Sequence, residues 1–344
     1  MSGAEPTIRV VGAGITGLWQ ALLLARAGYG VQLVERSDEG APFLAGASRF
    51  AGAMLAPDCE AEAAPRLVRD LGRGAVATWR AVYPALSERG SLVVAGVRDR
   101  GDLARFGAMT ERHQTLGRTA LAALEPSLAG NFDCALYFSE EAHMAAPDAL
   151  VALLESVRAA GVRVRFGCDG FGSGGDLGPA DLVIDARGFE AAPDIARLRG
   201  VRGERAIVRA REVKLTRPVR LLHPRVPLYI VPWPDARFMI GATVIESEES
   251  GPMTVRSALE LLGAATAVHP GFAEAEILDL GAGVRPALAD NIPRAMVDAD
   301  GRTIRVNGAY RHGFLLAPVL AEAVIQYLAG GPAADHPLLV RERG

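Results

Sequence analysis

Residues 8–11 form a short apolar run that opens directly onto Gly12-Ala13-Gly14-Ile15-Thr16-Gly17. Leu18, Leu22 and Ala25 then recur at helical spacing, and Gly28 marks a stop. A second apolar run, residues 31–34, ends on Glu35. Strand, helix and strand within about thirty residues predict a β-α-β unit. Residues 41–57 are rich in glycine, alanine and serine. They also carry Phe43, Phe50, Met54 and Leu55, which need burial, so they read as an ordered loop. Helical patterns follow over 64–86, a strand over 91–97, a helix over 149–160 that stops at Gly161, and a strand over 162–166. Residues 168–179 are a glycine-dense loop, and 181–188 a buried parallel-type strand ending on a glycine turn.

The pattern then changes. Residues 205–211, 219–222, 228–231 and 238–245 predict strands of an antiparallel sheet, the last two joined through Pro234-Asp235-Ala236-Arg237. Thr254 caps a helix running to Val268. Residues 281–330 return to α/β character, with a strand at 304–306 and a helix at 320–328. β-α-β elements at both ends thus flank an antiparallel middle.

The glycine loop carries specific chemistry. A pyrophosphate binds where backbone N–H groups and a helix N-terminus converge on it. In that arrangement Gly12 makes the tight turn, Gly14 lets phosphate approach, and Gly17 lets helix and strand pack. Glu35, eighteen residues after Gly17, ends the second strand where it can accept hydrogen bonds from a ribose diol. A carboxylate there repels a 2′-phosphate, an inference that the adjacent Arg36 weakens slightly. The loop alone does not separate FAD from NAD. Gly172-Ser173-Gly174-Gly175 precedes no helical pattern, so no second nucleotide motif is expected.

Composition narrows the class. The 344 residues suit roughly two domains at about 150 residues each. With 37 Lys and Arg against 40 Asp and Glu, the formal charge is −3, and no basic stripe suggests nucleic acid as a partner. Lys214 is the single lysine. No apolar run reaches the ~18 residues that span a bilayer, and residues 1–7 lack the cationic start and cleavage site of a signal peptide. Cys59, Cys134 and Cys168 are few and far apart, so neither a disulfide framework nor a metal site is expected, and a reducing cytoplasm fits.

Arg285, between Gly283-Val284 and Pro286, and Arg311, within Gly308-Ala309-Tyr310-Arg311-His312-Gly313, are the remaining candidates. A guanidinium is a planar fork that matches a carboxylate bidentately. The alternative is a pair of surface ion pairs. Gly313 to Pro318 leads into a helix whose N–H groups suit a flavin carbonyl. His312 beside Arg311 reads as a structural histidine before it reads as a base.

With these residues in place, the chain resembles the D-amino-acid oxidase family of flavoproteins, and within it the ThiO-type glycine oxidases. The resemblance runs nearly the whole length. It is carried by residues 47–57 and 199–204, by Tyr229-Ile230-Val231-Pro232, by Gly241-Ala242-Thr243, by Gly283-Val284-Arg285-Pro286 with Asp290, and by residues 310–318. It departs at Val244 and at Trp233, in Met144-Ala145-Ala146-Pro147, and where His312 follows Arg311.

The resemblance implies an α/β fold: a Rossmann-type FAD-binding domain with a smaller α+β substrate domain built on an antiparallel sheet. The expected boundaries are 1–57, 140–205 and 281–344 for the first, and 58–139 and 206–280 for the second. It implies FAD held by Gly12, Gly14, Ile15, Thr16, Gly17, Glu35 and Arg36. Ala47, Ser48, Gly52, Ala53 and Met54 line the flavin. Ala309, Tyr310, Arg311, His312, Gly313, Phe314 and Leu315 cover its pyrimidine side. Arg285 becomes the carboxylate clamp, Arg311 a second substrate contact, and Tyr229 a hydroxyl lid.

The implied enzyme oxidises glycine, sarcosine or D-alanine by hydride transfer to the flavin. Oxygen then takes the electrons, giving imine or oxo acid, ammonia and hydrogen peroxide. No protein base is needed for the α-hydrogen. Thiazole assembly for thiamine is the implied setting, and a homotetramer the implied assembly. The competing readings are a dehydrogenase with another acceptor, a flavin-binding protein without turnover, and an NAD-dependent dehydrogenase, which would be colourless.

Overall fold

Two sheets organise the chain. The computed structural model describes residues 7–40, 43, 46–62, 64–170, 177–332 and 335–341. Residues 1–6 and the Gly172-Ser173-Gly174-Gly175 run lie outside the described residues. Seven strands form the first sheet, in the order Leu339–Arg341, Arg294–Val297, Thr303–Asn307, Leu182–Asp185, Thr7–Val11, Gly30–Val34, Arg163–Arg165. Its pairings are parallel except that of Arg294–Val297 with Thr303–Asn307. Ile8, Val10, Leu33 and Ile184 are fully buried, as expected when helices cover both faces.

Val11 pairs with Val34 on one side and with Asp185 on the other, so three strands end level. The chain crosses in opposite directions from the central strand, and that is where an α/β sheet opens a binding crevice. Helix Ile15–Arg26 starts there at Gly14, and Gly28 follows its end with a φ of +94°. A Cβ on Gly17 would lie 1.8 Å from the Gly12 carbonyl oxygen, so only glycine lets this helix pack so close to the turn.

Nine strands form the second sheet. Arg199–Arg209 pairs with Glu276–Ala287 along its length and with Arg237–Gly241 on its other edge. Leu228–Trp233, Val219–Leu222, Ser91–Ala95, Cys134–Phe138 and Gln114–Gly117 continue the order, and Ile245–Glu246 pairs at Arg202. The expected hairpin at Asp235 and Ala236 is present, with φ positive at both residues.

The expected strand 238–245 is broken into Arg237–Gly241 and Ile245–Glu246, and three further elements differ from expectation. Strand Arg199–Arg209 begins six residues before residue 205, because Gly200, Gly203 and the charged Arg199, Arg202 and Glu204 hide any apolar alternation. Glu276–Ala287 belongs to this second sheet, whose pairings are antiparallel except that of Val219–Leu222 with Ser91–Ala95, and not to the α/β part. These two strands pass through the expected boundaries at 205/206 and 280/281. Finally, helix Gly313–Leu328 starts seven residues before residue 320 and carries Pro318 inside it.

That proline has a local answer. It has no N–H to give the Phe314 carbonyl four residues back. The Trp79 indole N–H donates to that carbonyl instead, at 2.7 Å, and its ring stacks on Phe314 with centroids 5.6 Å apart. Trp79→Phe is expected to lower unfolding free energy by about 1–3 kcal/mol through the orphaned carbonyl. In a Pro318→Ala background, where the residue-318 amide can supply the donor, the loss should shrink by at least about 0.5 kcal/mol. Urea unfolding of the four proteins in the cycle tests this; an identical loss in both backgrounds would refute it.

Candidate functional site

A cavity of about 810 Å³ extends from the crevice of the first sheet to the face of the second. Gly12, Gly14, Ile15, Thr16, Glu35 and Arg36 line one end. Ala47, Ser48, Gly52, Ala53 and Met54 form a side wall, and residues 309–315 the opposite one. Tyr229 and Arg285 close the inner end. Of the residues singled out from sequence, Gly17 alone is not on the lining; it serves the packing of helix on turn.

The crevice end fits a dinucleotide. Gly14 gives helix Ile15–Arg26 no side-chain cap, so its first turn faces the cavity with backbone N–H groups. The Ser48 hydroxyl accepts from the Ile15 N–H at 3.0 Å, tying residues 47–50 to that turn. Glu35 accepts from Ala13 N–H at 2.7 Å and from the Ser37 N–H and hydroxyl at 2.9 Å each. Its carboxylate is thus oriented at the end of the second strand. Arg36 is half-exposed and pairs with Glu190 at 2.5 Å.

At the other end Arg285 lies flat on the second sheet. A Cβ on Gly203 would sit 2.0 Å from its Nη2. The strand therefore needs glycine there for the guanidinium to take this place. Nη1 donates to the Thr243 carbonyl at 3.1 Å, and among the described residues no carboxylate pairs with it. Burial, then repulsion from Arg311, lowers its pKa to about 10, which leaves it cationic at neutral pH.

Arg311 donates to Glu60 at 3.0 Å and to the Tyr229 hydroxyl at 3.3 Å, with its guanidinium 5.8 Å from the Tyr229 ring centroid. The Glu60 charge raises the Arg311 pKa further. Burial alone would raise the Glu60 carboxyl, but Arg311 and Arg220 outweigh it and hold its pKa at about 2. Burial raises the Tyr229 phenol well above its usual range, so the hydroxyl stays protonated. Burial also pushes His312 down to about 4, and the ring is neutral at pH 7.

Glu60 and Arg220 carry no signal in the sequence, and Glu141 stands there as a retained residue of the family pattern without a role. Glu60 meets Arg311 across 251 residues of chain, and no local spacing signals that pairing. Arg220 donates to the Cys59 carbonyl at 2.7 Å and to Glu62 at 2.8 Å. Glu141 accepts from the Asp58 and Cys59 N–H groups at 3.1 and 2.7 Å, which fixes the turn presenting Glu60. On the opposite wall Phe50 packs where Gly281 and Gly283 leave room; a Cβ on either would come within 2.5 and 2.7 Å of its ring.

Comparison with known proteins agrees with this geometry. The family DAO, FAD dependent oxidoreductase, matches residues 7–327. A Rhizobium etli protein named as a thiamine biosynthesis oxidoreductase, ThiO, is 50% identical over 322 residues, 93% of this chain and 96% of that one. Glycine oxidase of Geobacillus kaustophilus is 27% identical over 354 residues, covering 91% of this chain and 90% of its own. A crystal structure of glycine oxidase from Geobacillus kaustophilus superposes with a TM-score of 0.80 at 25% identity, over 98% of this chain and all of that one.

Burial raises the Glu141 carboxyl from about 4.5 to about 8. The folded value lies above the unfolded one, so the protonated group stabilises the fold. That contribution is complete below about pH 4.5 and is lost as pH rises through about 8. Glu141→Gln is neutral throughout. Between about pH 5 and 8 the native protein is therefore expected to lose stability relative to this variant. Urea midpoints across that range check it, and a difference independent of pH would contradict it.

Proposed function

The chain belongs to the DAO family of FAD-dependent oxidoreductases, and on that premise we propose that it oxidises glycine, sarcosine or D-alanine with oxygen as acceptor. The observation that carries this reading is Arg285, a half-buried cation facing the cavity without a carboxylate partner among the described residues, at its inner end. A monocarboxylate satisfies that charge with a paired, charge-assisted hydrogen bond. The 50% identity to a protein named for thiamine biosynthesis supports thiazole assembly as the setting.

When bound, FAD supplies the two-electron acceptor for the substrate C–H bond and the route of electrons to oxygen. The chain's own residues position the substrate. Arg285 holds the carboxylate, and the Tyr229 hydroxyl caps it from the side. Glu60 and Tyr229 hold the Arg311 fork in place beside the substrate. Fixing the carboxylate sets the amine and α-carbon in one orientation, which is where most of the protein's contribution to rate arises. His312 is neutral and buried, and no step needs it as a base. Gly12, Gly14, Ile15, Thr16, Gly17, Glu35 and Arg36 serve the dinucleotide. Ala47, Ser48, Gly52, Ala53 and Met54, with residues 309–315, enclose its ring. The products are the imine, hydrolysed in water to oxo acid and ammonia, and hydrogen peroxide.

Anaerobic mixing with a panel of small amino acids tests the substrate, since turnover bleaches the yellow flavin; oxygen uptake then tests the acceptor. Arg285→Ala is expected to keep FAD and lose roughly 100-fold or more in kcat/KM. Near-normal turnover would remove the clamp. Gly203→Ala, which crowds the guanidinium without touching its charge, is expected to raise KM for glycine at least about tenfold with flavin content unchanged. An unaltered KM would show that the contact with residue 203 does not position Arg285.

A further inference from the structure

We propose that Glu60 determines substrate charge selectivity: by neutralising Arg311 it leaves Arg285 as the one uncommitted cation among the described residues at the inner end of the cavity, which admits amines bearing one carboxylate and rejects those bearing two. This rests on the amino-acid oxidase reading above.

The charges at that end can be followed pair by pair. Arg220 is committed to Glu62 at 2.8 Å and to the Cys59 carbonyl. Arg311 is committed to Glu60 at 3.0 Å, and its contact with the Tyr229 hydroxyl holds the same nitrogen. His312 is neutral. Arg285 is left, with a single hydrogen bond to a carbonyl. Three guanidinium groups and two carboxylates therefore leave one positive charge. A monocarboxylate with a neutral amine cancels it.

A second carboxylate on the same substrate would find the Arg311 charge already offset by Glu60, with Nη2 shared between Glu60 and Tyr229. It would meet the ionised Glu60 instead, at the half-buried inner end where like charges repel more strongly than in bulk solvent. Glu60 is poorly placed to step aside. Its turn is pinned by the Glu141 carboxyl through the Asp58 and Cys59 N–H groups. The Arg311 guanidinium is in turn braced against the Tyr229 ring. Without the Glu60 charge the same end would carry two cations and suit a dianion.

The holoenzyme tests this with glycine and with iminodiacetate, which is glycine carrying a second carboxylate. The native enzyme is expected to favour glycine in kcat/KM. Glu60→Gln should shift the ratio of the two constants at least about tenfold toward iminodiacetate, and Glu60→Asp should keep the native ratio. A merely structural role would lower both constants together. An unchanged ratio in a Glu60→Gln enzyme that still turns over glycine overturns the inference while leaving the oxidase reading intact. A native enzyme whose flavin no amino acid bleaches overturns both. Should Glu60→Gln fail to fold, inhibition of the native holoenzyme decides. Glycolate should compete at least about tenfold more tightly than diglycolate, and equal inhibition refutes the selectivity.

Discussion

A guanidinium can lie flat against a β-sheet only where the strand beneath it has no side chain, and Arg285 lies where residue 203 is glycine. The inner end of the cavity depends on that contact. The pairing of Arg199–Arg209 with Glu276–Ala287 sets Val201 opposite Arg285 and Gly203 opposite Gly283, which aims the side chain across the smooth patch. Thr243 then takes one N–H through its carbonyl, and its own hydroxyl accepts from the Glu204 N–H at 2.9 Å. A buried cation is tolerated only when its surroundings supply compensation. Here one carbonyl provides part of it and leaves the rest for a ligand, consistent with a FAD-dependent oxidoreductase of the ThiO and glycine oxidase type.

Around that cation the polar groups act as a chain of supports. Glu141 holds the turn at residues 58 and 59, the turn presents Glu60, and Glu60 holds Arg311. Tyr229 lies between two guanidinium groups, 5.3 Å from Arg220 and 5.8 Å from Arg311 at its ring centroid. Each charged group in the series has a counter-charge or a hydrogen bond, as buried ions require. The neutral state of His312 and the protonated state of Glu141 have the same origin, since burial disfavours the charged form in both.

The features that were readable from sequence are those whose causes are local. The glycine turn, its helix and Glu35 lie within thirty residues, and Thr254 accepts from the Ser257 N–H as its position before an apolar repeat predicts. The early start of Arg199–Arg209 was not readable, because a strand that hosts a buried arginine must place glycine and charge where alternation would be expected. Pro318 hides the true start of helix Gly313–Leu328, because its defect is repaired by an indole 235 residues away. Glu60 was invisible for the same reason: its meaning comes from Arg311, and only the fold brings them together. Family resemblance reached Arg285, Arg311 and Tyr229, and its blocks include Gly203 and Thr243, but it did not reach Glu60, which holds Arg311.

The side chain of Phe50 fits like a peg into the notch left by Gly281 and Gly283. The loop bearing Phe50 is itself fastened to the first turn of the leading helix through Ser48. The two sheets are thereby keyed to each other near the middle of the cavity. Any rocking of one against the other would have to pull the peg free. The two ends of the cavity thus share a common spatial reference, a rigid aromatic ring seated in a glycine notch.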